Sequence, residues 1–135
     1  NTFSETKLFY NPGFSVIDGA ILEKDNHYYL FIKNENSNPP EKNIRVVSNS
    51  KPFNFPTKVS APITGKYWAE GPTPLQVGEY VYVYFDKYRD KKYGAVRSKN
   101  MTDWEDVSDS VSFPSGIRHG TAFQVTKSIF NELKK

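Results

Sequence analysis

The 135-residue sequence predicts an all-β fold, a partial β-propeller of about two and a half four-stranded antiparallel blades followed by a short C-terminal helix. A polar or ionisable residue followed by glycine recurs at nearly constant spacing, at Asp18, Glu70 and His119. Short aromatic and β-branched runs alternate with turn signals between these positions, as strands and hairpins do. Repeating units of about 50 residues with four short strands each are typical of propeller blades. A small β-sandwich also fits short alternating strands and is the alternative fold.

The first complete blade is predicted at residues 12–63. A short strand at 7–10 precedes it and ends at the turn signal Asn11-Pro12-Gly13, so residues 1–11 are predicted to hold the outer strand of a preceding blade. Lys24-Asp25-Asn26 forms the tight turn of the central hairpin. The strands of this blade are predicted at 15–22, 28–32 and 44–47, with room for an outer strand within 51–62.

The second blade is predicted at residues 64–113, where the same order of elements recurs. Gly19 is as far from Gly71 as Tyr28 is from Tyr80, and this equal spacing aligns the two blades. The strands of the second blade are predicted at 70–77, 80–85, 93–97 and 107–113.

The remaining residues, 114–135, are predicted to begin a closing blade and to end in a helix. An inner strand is expected at 119–125 and the helix at 128–135, with Ser128 as its N-cap. Their spacing places Ile129, Phe130 and Leu133 on one face, which we expect to pack inward.

Composition excludes several classes of function. The net charge of +3 comes from basic residues interleaved with acidic ones, without the basic stripe of nucleic-acid binding proteins, so no nucleic acid partner is expected. No apolar run approaches the roughly 20 residues that cross a membrane, and no membrane partner is expected. The absence of cysteine excludes disulfides, thiolate metal ligands and thiol catalysis. No signal peptide is visible at Asn1, and localisation stays open, with the periplasm or extracellular space favoured.

The three repeated polar residues point to acid–base chemistry. The first strand of each propeller blade lies against the central channel, so we expect Asp18, Glu70 and His119 to meet at one end of it. Glycosidases use paired carboxylates, one of which protonates the leaving oxygen while others act as base or tune that acid. We therefore expect Asp18 to raise the pKa of Glu70 by charge repulsion. Taken alone, Asp18 is more often a turn former and His119 more often a structural histidine.

Four segments carry the most specific motifs of the chain: Asn11-Pro12-Gly13-Phe14-Ser15-Val16-Ile17-Asp18, Tyr67-Trp68-Ala69-Glu70-Gly71-Pro72, Tyr84-Phe85-Asp86-Lys87-Tyr88 and Arg118-His119-Gly120-Thr121. Together they resemble the C-terminal half of glycoside hydrolase family 43, the five-bladed propeller enzymes that act on β-xylosides and α-L-arabinofuranosides. The resemblance implies that Glu70 is the general acid and that Asp18 orients it and raises its pKa.

The resemblance also suggests what the site binds. His119 is expected near the channel axis, where it holds a metal ion such as Ca²⁺ or an ordered water, and no cofactor is required. Trp68, Arg118 and Phe14 are the candidate substrate-binding residues, and the expected ligand is a xylo- or arabino-oligosaccharide.

The sequence departs from the family in one respect, because the general base, an aspartate of the first blade in an Arg-Asp-Pro context, has no counterpart. Whether the chain is an enzyme by itself therefore stays open, and we expect the isolated chain to be inactive; Asp86 and Asp90 are the first residues to test otherwise. An incomplete propeller leaves strand edges and a blade face uncovered, so the expected partner is the N-terminal half of the same enzyme or another copy of the chain. The alternatives are a non-catalytic carbohydrate-binding remnant and a structural half-propeller that works only when assembled.

Overall fold

The computed structural model describes residues 2–135 and consists of two antiparallel β-sheets and a short C-terminal helix. The first sheet has the order β1–β2–β3, and the second has the order β4–β5–β6–β7. The elements are β1 (Val16–Lys24), β2 (His27–Asn34), β3 (Ile44–Asn49), β4 (Glu70–Val77), β5 (Tyr80–Lys87), β6 (Lys92–Ser98), β7 (Glu105–Asp106), a 3₁₀ turn (Ser108–Ser110) and α1 (Lys127–Leu133). The all-β prediction is confirmed, whereas the number of propeller blades stays a prediction.

Each sheet is built around a hairpin with a two-residue turn. Lys24 pairs with His27 across Asp25 and Asn26, whose φ angles of 51° and 58° match the twist of the two strands. The β4–β5 turn likewise begins with Gly78 at φ 59°. Asn, Asp and Gly tolerate this left-handed conformation better than other residues, which explains why the chain turns at these positions.

The main hydrophobic core lies between the two sheets. Side chains from β2 and β3 meet side chains from β5 and β6, and all of them are buried: Phe31, Ile44, Val46, Val81, Val83, Phe85 and Val96. Trp104 packs edge-to-face on Phe31 with ring centroids 5.9 Å apart. β1 and β4 also lie side by side. The two sheets are thus joined along their first strands and through a shared core.

A β-bulge interrupts the first strand of each sheet at the same place. Ile17 and Ala20 pair with Lys33 and Phe31, which leaves Asp18 and Gly19 in the bulge. In β4, Glu70 and Thr73 pair with Asp86 and Tyr84, which leaves Gly71 and Pro72 there.

The bulges correct the predicted alignment of the repeats by one residue. Asp18 corresponds to Gly71, 53 positions away, and both have positive φ angles, 53° and 61°. Glu70 therefore corresponds to Ile17 and not to Asp18, so the prediction that Asp18 and Glu70 occupy the same position of the repeat is wrong. A one-residue shift in a strand moves a side chain to the opposite face.

Two predicted inner or flanking strands are absent from the described residues. Residues 7–10, expected as the outer strand of a preceding blade, are irregular and largely exposed, although the Tyr10 hydroxyl donates to the Pro56 carbonyl at 2.9 Å. Residues 119–125 run beside β4 through isolated hydrogen bonds, such as that from Ala122 N to Thr73 Oγ1 at 3.1 Å. Neither segment has the hairpin partner that a strand ladder needs.

The two predicted outer strands also differ from the structure. Ser60 N and Ile63 N donate to Val46 and Ile44 beside β3, but Pro56 and Pro62 lack the N–H groups of a continuous ladder. In the second sheet, the outer strand is the short β7 in place of residues 107–113. It ends where Asp106 Oδ1 accepts a bond from Ser108 N at 2.9 Å and turns the chain.

The C-terminal helix forms one residue earlier than predicted and does not pack inward. Thr126 is the N-cap in place of Ser128, because its side chain accepts a hydrogen bond from Ile129 N. The side chains expected on the inner face are exposed, with Leu133 reaching 72%. Among residues 2–135 no helix is long and apolar enough to span a bilayer.

Candidate active site

The carboxylate of Glu70 is surrounded by three nitrogen-bearing side chains. Its Oε1 accepts a bond from Arg118 Nη2 at 2.6 Å and lies 3.0 Å from His119 Nε2. Its Oε2 accepts a bond from Lys33 Nζ at 3.0 Å. Glu70 opens β4, and its side chain is only 14% exposed. It is thus a largely buried carboxylate with both oxygens engaged.

Asp18 lies beside Glu70 but is engaged by the main chain. The bulge of β1 turns its carboxylate toward β4, where Oδ2 accepts a hydrogen bond from Gly71 N at 3.0 Å. This bond links the two bulges. One ligand atom from each of Asp18, Glu70 and His119 lies within 4.8 Å of the other two, so the structure brings together the three residues expected to meet.

His119 reaches this cluster because Gly71 has no side chain. A Cβ on Gly71 would lie 3.1 Å from Cδ2 of the imidazole. His119 itself has a positive φ of 40°, like Asp18 and Gly71, and the next residue is tied down by a bond from Gly120 N to the Tyr93 hydroxyl at 3.0 Å. The positive φ of His119 thus gives its backbone the same left-handed conformation as Asp18 and Gly71 in the two bulges.

Lys33 joins Glu70 to a second buried ion-pair network. Its side chain is 3% exposed, and Nζ lies 2.7 Å from Oε2 of Glu35. Glu35 Oε1 accepts a bond from Lys42 Nζ at 2.6 Å. Burial lowers the pKa of Lys33, but hydrogen bonds to Glu35 and Glu70 outweigh burial and raise that pKa above its ordinary value. Lys33 is therefore charged at neutral pH.

Arg118 extends the network to Asp86, which holds in the second sheet the position that Lys33 holds in the first. Its Nε donates to Asp86 Oδ2 at 2.7 Å, and the Asp86 side chain is 2% exposed. Lys33 and Asp86 each pair with the residue before a bulge. The contact between Lys33 and Glu70 thus recurs between Asp86 and Arg118 with the charges reversed. Because Glu70 also contacts Arg118, the four side chains form a row of alternating charges.

These contacts contradict the expected pKa of Glu70. Burial of Glu70 raises its pKa, but the hydrogen bonds and positive charges of Lys33 and His119 outweigh burial and hold the pKa below its ordinary value. The expectation of a raised pKa for Glu70 is therefore wrong for this chain. The reason is that cationic groups contact Glu70 directly, while Asp18 faces the Gly71 main chain.

The three candidate substrate-binding residues lie in different surroundings. Arg118 belongs to the Glu70 cluster, and its side chain is 61% exposed. Trp68 is half-buried, with the Arg89 guanidinium carbon 3.6 Å from its ring centroid and the Tyr88 centroid 5.8 Å away. Phe14 packs on the far face of the first sheet, beside Leu30, Ile32, Val47 and Phe55. The structure does not bring Phe14 to the cluster.

Two open cavities flank His119. One of about 300 Å³ is lined by Asp18, Gly19, Gly71, Pro72, His119, Gly120 and Thr121. The other, of about 710 Å³, lies over the outer face of the second sheet and is lined by aromatic residues together with Arg118 and His119. Both cavities therefore reach the cluster from the side of residues 117–122.

A comparison with family models identifies the class of domain. The model described as a probable glycosyl hydrolase domain, related to family 43, matches residues 1–131. The chain belongs to this family of glycosyl hydrolase domains. A search of curated proteins finds no match.

In this glycosyl hydrolase domain the cluster is poorly suited to a cation bound directly by Glu70. Ca²⁺ takes six to eight oxygen ligands, whereas both Glu70 oxygens already contact Lys33, Arg118 and His119. Positive charges at these distances repel a further cation. A cation bound directly by Glu70 therefore does not fit here, and the ion or water expected at His119 stays a prediction.

Sequence reasoning missed two residues of the cluster, Lys33 and Glu35, and it missed that Asp86 is the ion-pair partner of Arg118. A signal for Lys33 and Asp86 was present, because each apolar run of β2 and β5 ends in one of these charged residues. Asp86, named as a residue to test for the missing base, is buried and ion-paired with Arg118. Asp90 is half exposed and lies 3.6 Å from Lys87. Neither carboxylate is free and close to Glu70.

Proposed function

We propose that the chain is the acid-bearing C-terminal part of an inverting glycoside hydrolase that acts on β-xylosides or α-L-arabinofuranosides of plant polysaccharides. Glu70 is the general acid, Asp18 fixes the bulge beside it, and His119 lies near the channel axis. The observation that carries the proposal is the meeting of these three side chains within 4.8 Å, in a chain of a glycosyl hydrolase family.

In this proposal the two sheets are successive blades of a five-bladed propeller. Their adjacent first strands and matching bulges support that arrangement. Residues 119–125 would be the inner strand of the next blade, because they follow β4 through the bonds of Ala122 and Gln124 to Thr73 and Gln76. The general base would come from the N-terminal half of the enzyme or from another copy, on the opposite face of the sugar.

A general acid must carry a proton, and Glu70 is held ionised by its neighbours. Arg118 is the neighbour that can leave, because its side chain is 61% exposed and it lies outside any helix or strand. Substrate hydroxyls that bind the guanidinium would draw it away from Oε1, and loss of this hydrogen bond would remove one of the contacts that stabilise the carboxylate form, while Lys33 and His119 stay in place. Substrate binding would thus shift Glu70 toward its protonated form.

The experiment that tests the acid role varies the leaving group. Aryl β-xylosides and α-L-arabinofuranosides with phenols of different pKa are assayed with the natural polypeptide that contains these 135 residues. A general acid matters most for poor leaving groups, so Glu70→Gln should reduce turnover on phenyl glycosides by about 10²–10⁴-fold and much less on dinitrophenyl glycosides. Glu79→Gln, which removes an exposed carboxylate paired with Lys99, is the matched control.

Equal losses on all leaving groups would assign Glu70 a purely structural role. Robust turnover by the isolated chain, abolished in Glu70→Gln, would mean that a base lies within it.

A non-catalytic carbohydrate-binding or structural half-propeller is the second candidate, favoured by the lowered pKa of Glu70. In that case the ion pairs of Glu70 hold the segment around Arg118 in place and no proton is transferred. Oligosaccharide binding would then survive Glu70→Gln, and no polypeptide containing the chain would hydrolyse either class of glycoside.

A further inference from the structure

A basic hairpin loop stands at the same end of the second sheet as Glu70. Glu70 pairs with Asp86, so the loop between β5 and β6 begins immediately beyond the candidate acid. Four cationic residues occupy this loop and its flanks, against the single acidic residue Asp90: Lys87, Arg89, Lys91 and Lys92. Lys87 lies 3.6 Å from Asp90. Across residues 2–135, the other three cations form no ion pair.

Arg89 is the cation of this loop that is held in a defined place. Its guanidinium stacks on Trp68 with Cζ 3.6 Å from the ring centroid. Trp68 also contacts the Tyr88 ring and lies 6.0 Å from Lys42 Nζ. Trp68 therefore serves as a support for a guanidinium, and the stacked Arg89 covers ring surface that a neutral sugar would use.

The donors of Arg89 are free to bind a ligand. A guanidinium stacked on a ring keeps its five N–H groups in its own plane, where they match the two oxygens of a carboxylate. In the described part of the chain, no acceptor takes a hydrogen bond from Arg89, whose side chain is exposed. By contrast, Lys33, Lys42 and Arg118 already contact carboxylates.

The Trp68–Arg89 pair is connected to the candidate acid through one ammonium group. Lys33 Nζ lies 4.9 Å from the Tyr88 ring centroid and 3.0 Å from Glu70 Oε2. Tyr88, which contacts Trp68, and Glu70 thus both contact Lys33, so the loop and the candidate acid are close enough to bind neighbouring units of one oligosaccharide. Unpaired cations at this position favour an anionic unit over a neutral pentose.

We propose that Arg89, supported by Trp68, binds the carboxylate of a uronic acid unit in the oligosaccharide held at Glu70. The substrate class is therefore an acidic, uronate-bearing oligosaccharide. This inference rests on the proposed function, because it assumes that a sugar binds at Glu70.

Calorimetric titration of the natural polypeptide that contains these 135 residues tests the inference with three sugars. They are xylotriose, xylotriose with a glucuronic acid branch, and the methyl ester of that branched sugar, which keeps the ring and removes the charge. The acid should bind about tenfold more tightly than its ester, because charge-assisted hydrogen bonds are the stronger ones. Added salt should reduce this difference.

Variants of Arg89 identify the residue responsible. Arg89→Met should abolish the preference for the acid over the ester, and Arg89→Lys should keep part of it. Arg97→Met is the matched control, because Arg97 also stacks on an aromatic ring, that of Tyr80 at 4.5 Å, but near the β4–β5 turn at the other end of the sheet. The control should keep the full preference.

Equal binding of acid and ester by the unmodified chain would overturn the inference while leaving the proposed function intact. Equally tight binding of a sulfated xylotriose would mean that the site accepts anions in general, which would overturn the uronate assignment. Absence of binding by every sugar would contradict the proposed function together with the inference.

Discussion

The main-chain N–H of Gly71 donates a hydrogen bond to Oδ2 of Asp18 at 3.0 Å, across the two bulged strands. Asp18 is thereby a link between the two sheets, and its carboxylate faces an amide instead of Glu70. The lowered pKa of Glu70 follows instead from its direct contacts with Lys33 and His119.

Substitution of Asp18 should therefore alter the stability of the protein, chiefly through loss of the bond to Gly71 N. Asp18→Ala should lower the free energy of unfolding by about 2 kcal/mol or more, since it removes the acceptor for Gly71 N and places alanine at a φ of 53°. Asp18→Asn should cost less than about 1 kcal/mol, because asparagine keeps an acceptor oxygen and tolerates this φ.

Urea unfolding measures these differences. Asp25→Ala is the control for backbone strain, because Asp25 has a φ of 51° and its carboxylate pairs with the neighbouring Lys24 instead of with a main-chain N–H of the other sheet. Equal losses in Asp18→Ala and Asp25→Ala would show that the bond to Gly71 contributes nothing.

Removal of the Lys33 charge should raise the pKa of Glu70. Lys33 Nζ lies 3.0 Å from Glu70 Oε2 and lowers the pKa of this carboxyl, whereas burial raises it. Without the ammonium group, the raising effect of burial is larger relative to the remaining lowering effects. Carboxyl NMR titration of Lys33→Met measures the shift, with Lys33→Arg as a variant that keeps the charge. Lys99→Met, which removes the partner of exposed Glu79, is the matched control and should leave Glu70 unchanged. An unchanged Glu70 in Lys33→Met would contradict the assigned cause.

Much of the fold was predictable because its signals are local. The apolar runs of β2 and β5 and the turn residues Asp25, Asn26 and Gly78 fix two hairpins without reference to the rest of the chain. The outer strands were not predictable in the same way. Their ladders are interrupted at single residues, by prolines beside β3 and by the turn at Asp106 in the second sheet.

The error in the repeat alignment has a physical origin. Sequence spacing aligned Gly19 with Gly71, although the structure aligns Gly71 with Asp18. Both glycine and aspartate adopt a positive φ, so the bulge does not need the same residue type in each repeat. The role of Lys33 was hidden for another reason, since an ion pair to Glu70 depends on which strands become neighbours.

The stability of the chain should fall in acid partly through Glu70. The pKa of Glu70 is lower in the folded chain than in the unfolded one, so its contribution is fully present above the unfolded value of about 4.3. That contribution is lost as the pH falls through the lower, folded pKa. Urea unfolding between pH 7 and pH 3 should therefore show a smaller acid loss in Glu70→Gln than in the unmodified chain. Glu79→Gln should reduce the acid loss much less, because the pair of Glu79 with Lys99 is exposed and screened by solvent. An identical acid loss in all three proteins would contradict the assignment.

Alanine at Gly71 should displace His119 from Glu70. The new Cβ would lie 3.1 Å from the imidazole Cδ2, and the φ of 61° would add strain of about 1–2 kcal/mol. Gly78→Ala is a matched control with a φ of 59° and open space around the Cβ. Both variants should lose stability, but only Gly71→Ala should shift the imidazole resonances of His119 in NMR spectra. Unperturbed His119 resonances would mean that the imidazole does not rest against Gly71.

The last prediction concerns assembly, for which the proposed partners are the N-terminal half of the enzyme or another copy of the chain. Large apolar side chains are exposed toward both ends of the described chain: Phe3, Leu8, Phe9, Ile117, Phe123, Ile129, Phe130 and Leu133. Burial of one such side chain contributes about 1.5–3 kcal/mol, so leaving several in water favours association.

Light scattering on the purified chain should therefore report a mass above that of a monomer, increasing with protein concentration. The double variant Phe130→Ser, Leu133→Ser should shift this equilibrium toward the monomer, because these substitutions remove apolar surface that the helix does not bury. Phe53→Ser is the matched control, since Phe53 is 49% exposed but lies in the loop after β3. If the unmodified chain stays monomeric and unfolds cooperatively at every concentration, these side chains do not form an interface. The domain would then be self-sufficient.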